Sequence, residues 1–347
     1  MKTALIVSLS FNPGHVSHLV ASYRQCEELG YEAIYYIHPS FVGMLPTTNR
    51  YIVYESSVHP KADIAVFLFP SVKNVLLIRS LKRNETRVVY VFHEPLAPMS
   101  TYRKVGFSFF YLAKLWVANC VSAYTVKKCD SVVLPSRRAI AMYESNALYK
   151  NPNYHYLPLM FDDECRTNFD NVDRKYFSYI GTVAADHSFD EYLRFVQWAV
   201  SGERLSNVGF MIATKSEFDI SEELQNADRV KILRGKPLSN EVINDCYASS
   251  FAVWNAYART TQSGVLAKSF MFGTPVVVLR KNLSEFTEDG RDVVAIDDNG
   301  SFEEIENAIM RILDGFDSFS NNARNRFLST FYYRNYNDQF RQIIDSI

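Results

Sequence analysis

Short apolar runs rich in β-branched and aromatic residues recur along this chain, each followed by a stretch of helical spacing, and that alternation admits few folds. In the first half the runs are Ala4–Leu9, Ala33–Ile37, Ile64–Leu68, Val88–Phe92 and Ser131–Leu134. Val16–Leu29 has helix periodicity and is closed by Gly30, a residue suited to a helix C-terminus. The intervals between runs are long enough for crossovers, so the pattern predicts a parallel, doubly wound α/β sheet. Asn151–Arg174, polar and carrying Pro152 and Pro158, reads as a linker. The rhythm then resumes with strands at Tyr176–Ile180, Gly209–Ala213, Val230–Leu233, Phe251–Trp254 and Pro275–Leu279. Helices are predicted at Phe189–Val200, Asn240–Ala248 and Val265–Phe272. From Ser301 the tail is helical, with a break near Phe316–Asn321 and an amphipathic end over Tyr333–Ile347.

A chain of 347 residues is comfortable for two domains rather than one. The boundaries predicted are a first Rossmann-like domain at 1–165, a second at 166–325, and a helix at 326–347 returning to the first. Two such open sheets create a cleft between their carboxyl edges, where helix N-termini and loop amides converge on ligands. The pattern alone does not identify the ligand.

Charge is distributed unevenly. Residues 1–150 hold 17 Lys+Arg and 9 Asp+Glu, which leaves 20 and 29 for the remainder. A front half this basic suits an anionic partner. No nucleic-acid motif is present, so nucleic acid is not expected, and an anionic membrane surface or a pyrophosphate-linked acceptor fits at least as well. The five cysteines are scattered without a C-x-x-C pair, which argues against a zinc site or disulfide framework and for a reducing compartment. The N-terminus runs straight into a strand pattern, so no signal peptide is expected and a cytoplasmic location is.

The sharpest motif is Ser263–Val278. A small-residue turn, Ser263-Gly264, leads into a helix that begins at Val265, and such a start binds a diphosphate through free amides and the positive dipole end. Gly264 removes the side chain that would block a close backbone approach. Gly273 ends the helix, and Pro275 opens the next strand. This stretch resembles the donor-binding signature of glycosyltransferases with the GT-B fold, family 4 in particular. Glu285–Gly290 is similar to that family's E-x-x-x-D-G stretch, Tyr179–Thr182 to the strand end that opens its second domain, and His93-Glu94-Pro95 and Leu134-Pro135-Ser136 to strand ends of its first.

Two departures stand beside the resemblance. The family's paired glutamates, eight positions apart, fall on Thr260 and Lys268 here, and the second ordinarily holds the nucleotide ribose. Lys268 either reaches a phosphate or is a surface lysine. The family's Arg and Lys after the strand-end glycine fall on Thr182 and on Asp186 or His187. Charge for a leaving diphosphate must then come from elsewhere; Arg259 is the first choice and Arg234 the second, because a guanidinium fits phosphate oxygens in bidentate fashion.

On the acceptor side, Ser10–His15 is a turn into a helix, which makes Gly14 and His15 candidates for a ligand-facing loop. His93 matches the family's histidine that meets the transferred sugar, and Glu94 is a candidate polar anchor or general base. A polar pair at the end of a buried strand is costly unless it is used or satisfied. Arg103 and Lys104 then precede Val105–Val126, an apolar run of about 22 residues broken only by Lys114 and closed by Lys127 and Lys128. It is long enough to span a bilayer, which takes ~20 residues, but strands resume at Ser131 and a span would split the first domain. Two readings stay open: a core helix, or one with a face at a membrane interface flanked by basic residues.

The resemblance implies a retaining, metal-independent transferase that takes a nucleotide diphosphate sugar as donor substrate, without a further cofactor, and a lipid-linked or saccharide acceptor. The altered glutamates leave open a scaffold that binds sugar or nucleotide without catalysis. A nucleotide-sugar epimerase shares the fold and is a further alternative.

Overall fold

The computed structural model describes residues 2–55, 60–96, 102–103, 107–165, 173–258, 260, 262–298 and 300–347. The chain divides into two compact units, Met1–Asp162 with Phe331–Ile347, and Asp163–Thr330.

In the first unit the order is β1 (Lys2–Ser8), α1 (Val16–Glu28), β2 (Tyr31–Ile37), β3 (Tyr51–Val53), β4 (Ile64–Phe67), α2 (Asn74–Arg83), β5 (Arg87–Val91), α3 (Phe109–Lys128), β6 (Ser131–Leu134), α4 (Arg137–Ser145) and β7 (Tyr154–Tyr156). The second unit continues with β8 (Tyr176–Ile180), α5 (Phe189–Ser201), β9 (Gly209–Ala213), α6 (Glu222–Gln225), β10 (Val230–Leu233), α7 (Asn240–Ala248), β11 (Ser250–Trp254), α8 (Gly264–Met271), β12 (Val276–Leu279), β13 (Val293–Ile296), α9 (Phe302–Asp314) and α10 (Phe316–Thr330). The last helix, α11 (Asn337–Asp345), belongs to the first unit.

Among the described residues the strands form a seven-stranded sheet, β3-β2-β1-β4-β5-β6-β7, and a six-stranded sheet, β10-β9-β8-β11-β12-β13. Every pairing is parallel, with Leu5 opposite Ile34 and Ala65 in the first and Tyr179 opposite Ile212 in the second. Parallel sheets need cover on both faces, which explains why Ile64–Phe67, Ser131–Leu134 and Val276–Leu279 are buried along their whole length. Strand order reverses between β1 and β4, and again between β8 and β11. Those two switch points are where this architecture leaves room for ligands.

Several elements differ from expectation. Tyr154–Tyr156 lies in the predicted linker but adds the edge strand β7, with Val133 paired to His155. Its residues are only half-buried, so their polarity was no obstacle to pairing at an edge. β3 and β13 also escaped the periodicity; β3 is three residues long. The predicted break at Phe316–Asn321 falls instead at Gly315, and Phe316 opens α10, where Phe319, Ala323 and Phe327 are buried at helical spacing.

The chain leaves the first unit and re-enters it side by side. Phe161 N donates to Phe331 O at 2.9 Å, and Tyr333 N to Phe161 O at 3.1 Å. The tail is then held on α1 by one carboxylate, Glu28, which accepts from Tyr333 Oη at 2.6 Å, Arg334 Nε at 2.8 Å and Asn337 Nδ2 at 2.8 Å. On the far side Gln339 Nε2 donates to Tyr156 O at 2.8 Å and Arg87 Nη1 to Ile344 O at 3.0 Å.

Burial by itself raises the Glu28 carboxyl, but the hydrogen bonds donated by Tyr333, Asn337 and Arg334 outweigh it and leave the group below its ordinary value. A carboxyl lowered on folding stabilises above its unfolded pKa, and that contribution is lost as pH falls through the folded one. Glu28→Gln is therefore expected to cost about 1–2 kcal/mol at pH 7. The gap between wild type and variant in urea unfolding should close as pH falls below about 4; a constant gap would rule out this anchor.

Candidate functional site

At the switch point of the second sheet, β8 gives way to Gly181 and β11 to Asn255. Gly181 has φ +148°, in the range that favours glycine, and a Cβ there would sit 3.5 Å from Tyr257 Oη and 3.8 Å from Val265 Cγ2. Its backbone thus lies against Tyr257 and the first turn of α8. Ser263 is the N-cap of α8: its Oγ accepts from Leu266 N at 3.3 Å and from the buried Asn255 Nδ2 at 2.9 Å. Three segments therefore converge: Gly181–Thr182, Asn255–Tyr257 and Ser263–Val265. By helix geometry the amides of Gly264 and Val265 have no intrahelical acceptor, and the helix dipole places partial positive charge there. The arrangement suits an anion.

The rest of the edge is aromatic and polar. His187 stacks on Tyr257 with ring centroids 4.2 Å apart and planes at 8°, and its Nδ1 donates to Thr182 O at 2.7 Å. Burial pushes the Tyr257 phenol well above its usual value, the charge of Asp186 adds to that, and a hydrogen bond with Asn255 opposes it. The phenol is therefore neutral, a donor or acceptor rather than a charge. Ser216 Oγ accepts from Val183 N at 3.2 Å, which ties the loop after β9 to the loop after β8 and sets the exposed Lys215 beside Gly181–Val183.

The far end of α8 explains the remainder of the motif. Gly273 (φ +61°) stops the helix, Thr274 N donates back to Ser269 O at 2.9 Å, and a Cβ on Gly273 would meet Ser320 Oγ of α10 at 2.9 Å. Arg174 Nη2 donates to Phe272 O at 2.6 Å and Arg324 Nη1 to Met271 O at 2.7 Å, so two guanidiniums satisfy the terminal carbonyls.

The basic residues singled out from the sequence fare differently. Lys268 is neither at the helix start nor on the surface: it is buried, with Nζ 2.8 Å from Glu164 Oε2 and 3.0 Å from Asn240 Oδ1. The expectation of a surface lysine is corrected by this pair, because an ammonium whose side chain is only 7% exposed needs a counter-charge. Arg234 Nη1 donates to Phe218 O at 2.8 Å, and the guanidinium stacks on the Phe218 ring at 5.2 Å. Arg259 lies outside the described residues, as does Lys104.

In the first unit, His15, His18 and His93 gather around Phe69 at the other switch point. His15 stacks on Phe69, and His93 meets the same ring edge-on at 6.1 Å. His18 is 6.2 Å from His93 and 4.4 Å from Phe161 between ring centroids, and its Nδ1 donates to Met160 O at 3.1 Å. Asn12 Oδ1 accepts from Gly14 N at 3.1 Å and shapes the turn before His15. His93 is half-buried, as a strand-end group facing a site should be, but Glu94 is exposed, so the burial cost argued for the pair applies to His93 alone. Arg103 is also exposed. Among the described residues no group of three or more His, Cys, Asp and Glu side chains is placed to hold a metal ion.

His18, Lys215, Asn255, Tyr257 and Glu164 were not singled out in the sequence. His18 carried a usable signal, standing three positions after His15 and so on the same helix face. Asn255 carried another, as a polar residue directly after a buried strand. Glu164 carried none, since its partner lies 104 positions away.

The Glu164–Lys268 pair generates a stability test. Glu164→Ala leaves a buried ammonium without its carboxylate and is expected to cost about 3–5 kcal/mol in urea unfolding. The double variant Glu164→Gln with Lys268→Met should recover most of that loss; equal losses in single and double variants would refute the coupling.

No family model matches the chain, and no curated protein matches it in sequence. Its fold is nonetheless shared along its whole length. Sucrose-phosphate synthase from Thermosynechococcus elongatus superposes with TM-score 0.72 at 11% identity, over 100% of this chain and 99% of that one. HepE from Anabaena, in complex with UDP-glucose, gives TM-score 0.72 at 13% identity over 100% of both chains. A glycosyltransferase from Rickettsia africae gives 0.68 at 12% identity, over 99% of this chain and 98% of that one. At such identities the likeness carries the architecture: the chain has the GT-B-type fold, built of two Rossmann-like domains with parallel sheets.

Proposed function

We propose that this chain is a glycosyltransferase that moves a sugar from a nucleotide diphosphate sugar to a lipid-linked or polysaccharide acceptor. The observation that supports the reading best is the convergence of Gly181, Asn255 and the Ser263-capped start of α8 at the switch point of the second sheet. In this reading the diphosphate lies on the α8 amides, with Lys215 adding positive charge and His187 a polar contact as it departs. The histidines around Phe69 meet the acceptor or the transferred sugar, with His93 the first candidate. The resemblance to family 4 argues for retention of configuration without a metal. Because nucleotide sugars are cytoplasmic metabolites, the reaction is assigned to the cytoplasm, where lipid-linked acceptors present their head groups on the inner membrane face.

HepE has been captured with UDP-glucose, which makes uridine nucleotides the first donors to test. A nucleotide present at 100 times its dissociation constant should add ~2.7 kcal/mol to stability in thermal unfolding. Lys215→Ala should weaken that binding about tenfold, the loss of one phosphate contact. Silence toward every nucleotide diphosphate and its sugars would refute the reading.

The burial of Lys268 against Glu164, where the resembled family carries a ribose-holding glutamate, favours a second reading: a scaffold that binds sugar or nucleotide without catalysis. Donor hydrolysis separates the two. Slow release of free sugar, unaffected by EDTA, supports the transferase; nucleotide binding with no turnover on any donor supports the scaffold.

A further inference from the structure

Helix α3 is inverted relative to an ordinary surface helix. Its buried face is largely polar, formed by Asn119, Ser122 and Thr125 with Val126. Asn119 Oδ1 accepts from Tyr149 Oη at 2.6 Å, and Thr125 Oγ1 donates to Val121 O at 3.0 Å. The outward face is apolar: Phe109 is 78% exposed, Phe110 85%, Trp116 58% and Val117 50%. At 100° per residue these four share one side with Ala113 and Cys120, opposite Asn119, Ser122 and Val126. A solvent-facing helix ordinarily shows the reverse pattern.

The fold leaves this face without a partner among the described residues. α2 and α3 are consecutive crossovers on the adjacent parallel strands β4, β5 and β6, and Arg79 Nε donates to Tyr124 Oη at 2.7 Å between them. With 10 residues against 20, α2 leaves about half of α3, roughly 15 Å, without a counterpart on its own length. On α2 itself, Leu76 is 63% exposed and, just before it, Val72 is 67% exposed.

Charge selects the occupant. Neither α2 nor α3 contains an Asp or Glu. Lys114, Lys127 and Lys128 on α3 are exposed, as are Lys73, Arg79 and Arg83 at α2 and Arg103 upstream. Lys127 and Lys128 fall on the apolar side of α3, at the opposite end from Phe109 and Phe110. A second copy would bring the same cations against this face, whereas an anionic lipid surface complements them. Among the described residues no helix is long and apolar enough to cross a membrane. A helix of 20 residues with aromatic and basic residues on one face instead lies in the interface plane.

We infer that α3, with the exposed edge of α2, is a docking surface for anionic bilayers, Phe109, Phe110 and Trp116 entering the acyl boundary and Lys114, Lys127 and Lys128 meeting head groups. This rests on the exposure and charge of two helices and stands apart from the transferase reading.

The test is co-sedimentation of the full chain with vesicles of phosphatidylcholine alone or with 30% phosphatidylglycerol added, read together with Trp fluorescence in a Trp198→Phe background. Trp254 is fully buried, so a blue shift on vesicle addition reports Trp116. Binding and blue shift are expected with the anionic vesicles only, weakening as salt is raised. Phe110→Ser with Trp116→Ser should abolish the binding. Lys127→Gln with Lys128→Gln should reduce it about 25-fold, at roughly fivefold per basic residue near the surface. These side chains are exposed, so unchanged thermal unfolding confirms that each variant folds. The inference is overturned by equal binding to neutral vesicles, by binding that both variants retain, or by no binding at all. A concentration-dependent dimer lost in Phe110→Ser with Trp116→Ser, without vesicle binding, would assign the face to a second copy instead. Response to nucleotide diphosphates and their sugars in the same samples is an independent readout: silence toward all of them with vesicle binding kept refutes the transferase reading alone, and loss of vesicle binding with that response kept refutes this surface alone.

Discussion

The position of α8 governs the candidate donor site. Its start is fixed by Ser263, which caps the first turn and is itself held by Asn255 from the end of β11. Its end is fixed by the left-handed Gly273 and by Arg174 and Arg324, which take up the last carbonyls. A helix pinned at both ends cannot slide along the sheet, so its free amides stay at the switch point beside Gly181. The motif Ser263–Val278 thus divides by role. Its first three residues form the capped helix start, whose free amides suit an anion, and the Gly-Thr-Pro at its end keeps that start in place.

Opposite-charge partners inside the second unit complete this frame. Asp163 pairs with Arg324 at 2.5 Å, directly after the chain enters the unit, and the neighbouring Glu164 pairs with Lys268. Both carboxylates belong to the first two residues of the second unit and engage the helices α10 and α8. The cost of burying Lys268 is offset by Glu164, the second residue of that unit, so the packing of α8 depends on a carboxylate distant in the sequence.

Much of the fold was legible because its causes are local. Buried parallel strands must be apolar on both faces, and their crossovers must be long, so β1, β4, β5, β6, β8, β9 and β12 stood out from residue type alone. Edge strands obey no such rule: β7 reads Tyr-His-Tyr and needs only a free neighbouring edge, which no local pattern reports. The helix break was displaced for a related reason. Phe316–Asn321 read as a break, but Phe319 and Ala323 bury against the rest of the unit and hold α10 continuous.

By itself the sequence determined two doubly wound α/β domains, a capped helix start suited to an anion, and a basic, aromatic segment in the first half. Those features follow from side-chain type and spacing, which act over a few residues. Tertiary structure alone decided that Lys268 is neutralised by Glu164, that His18 joins His15 and His93 around Phe69, and that α3 turns Asn119, Ser122 and Thr125 inward. The sequence showed that the segment around α3 was apolar; only its neighbours could decide which face they would cover. Charge pairing, ring stacking and burial are set by groups distant in the chain, and which of them meet is a property of the packed fold.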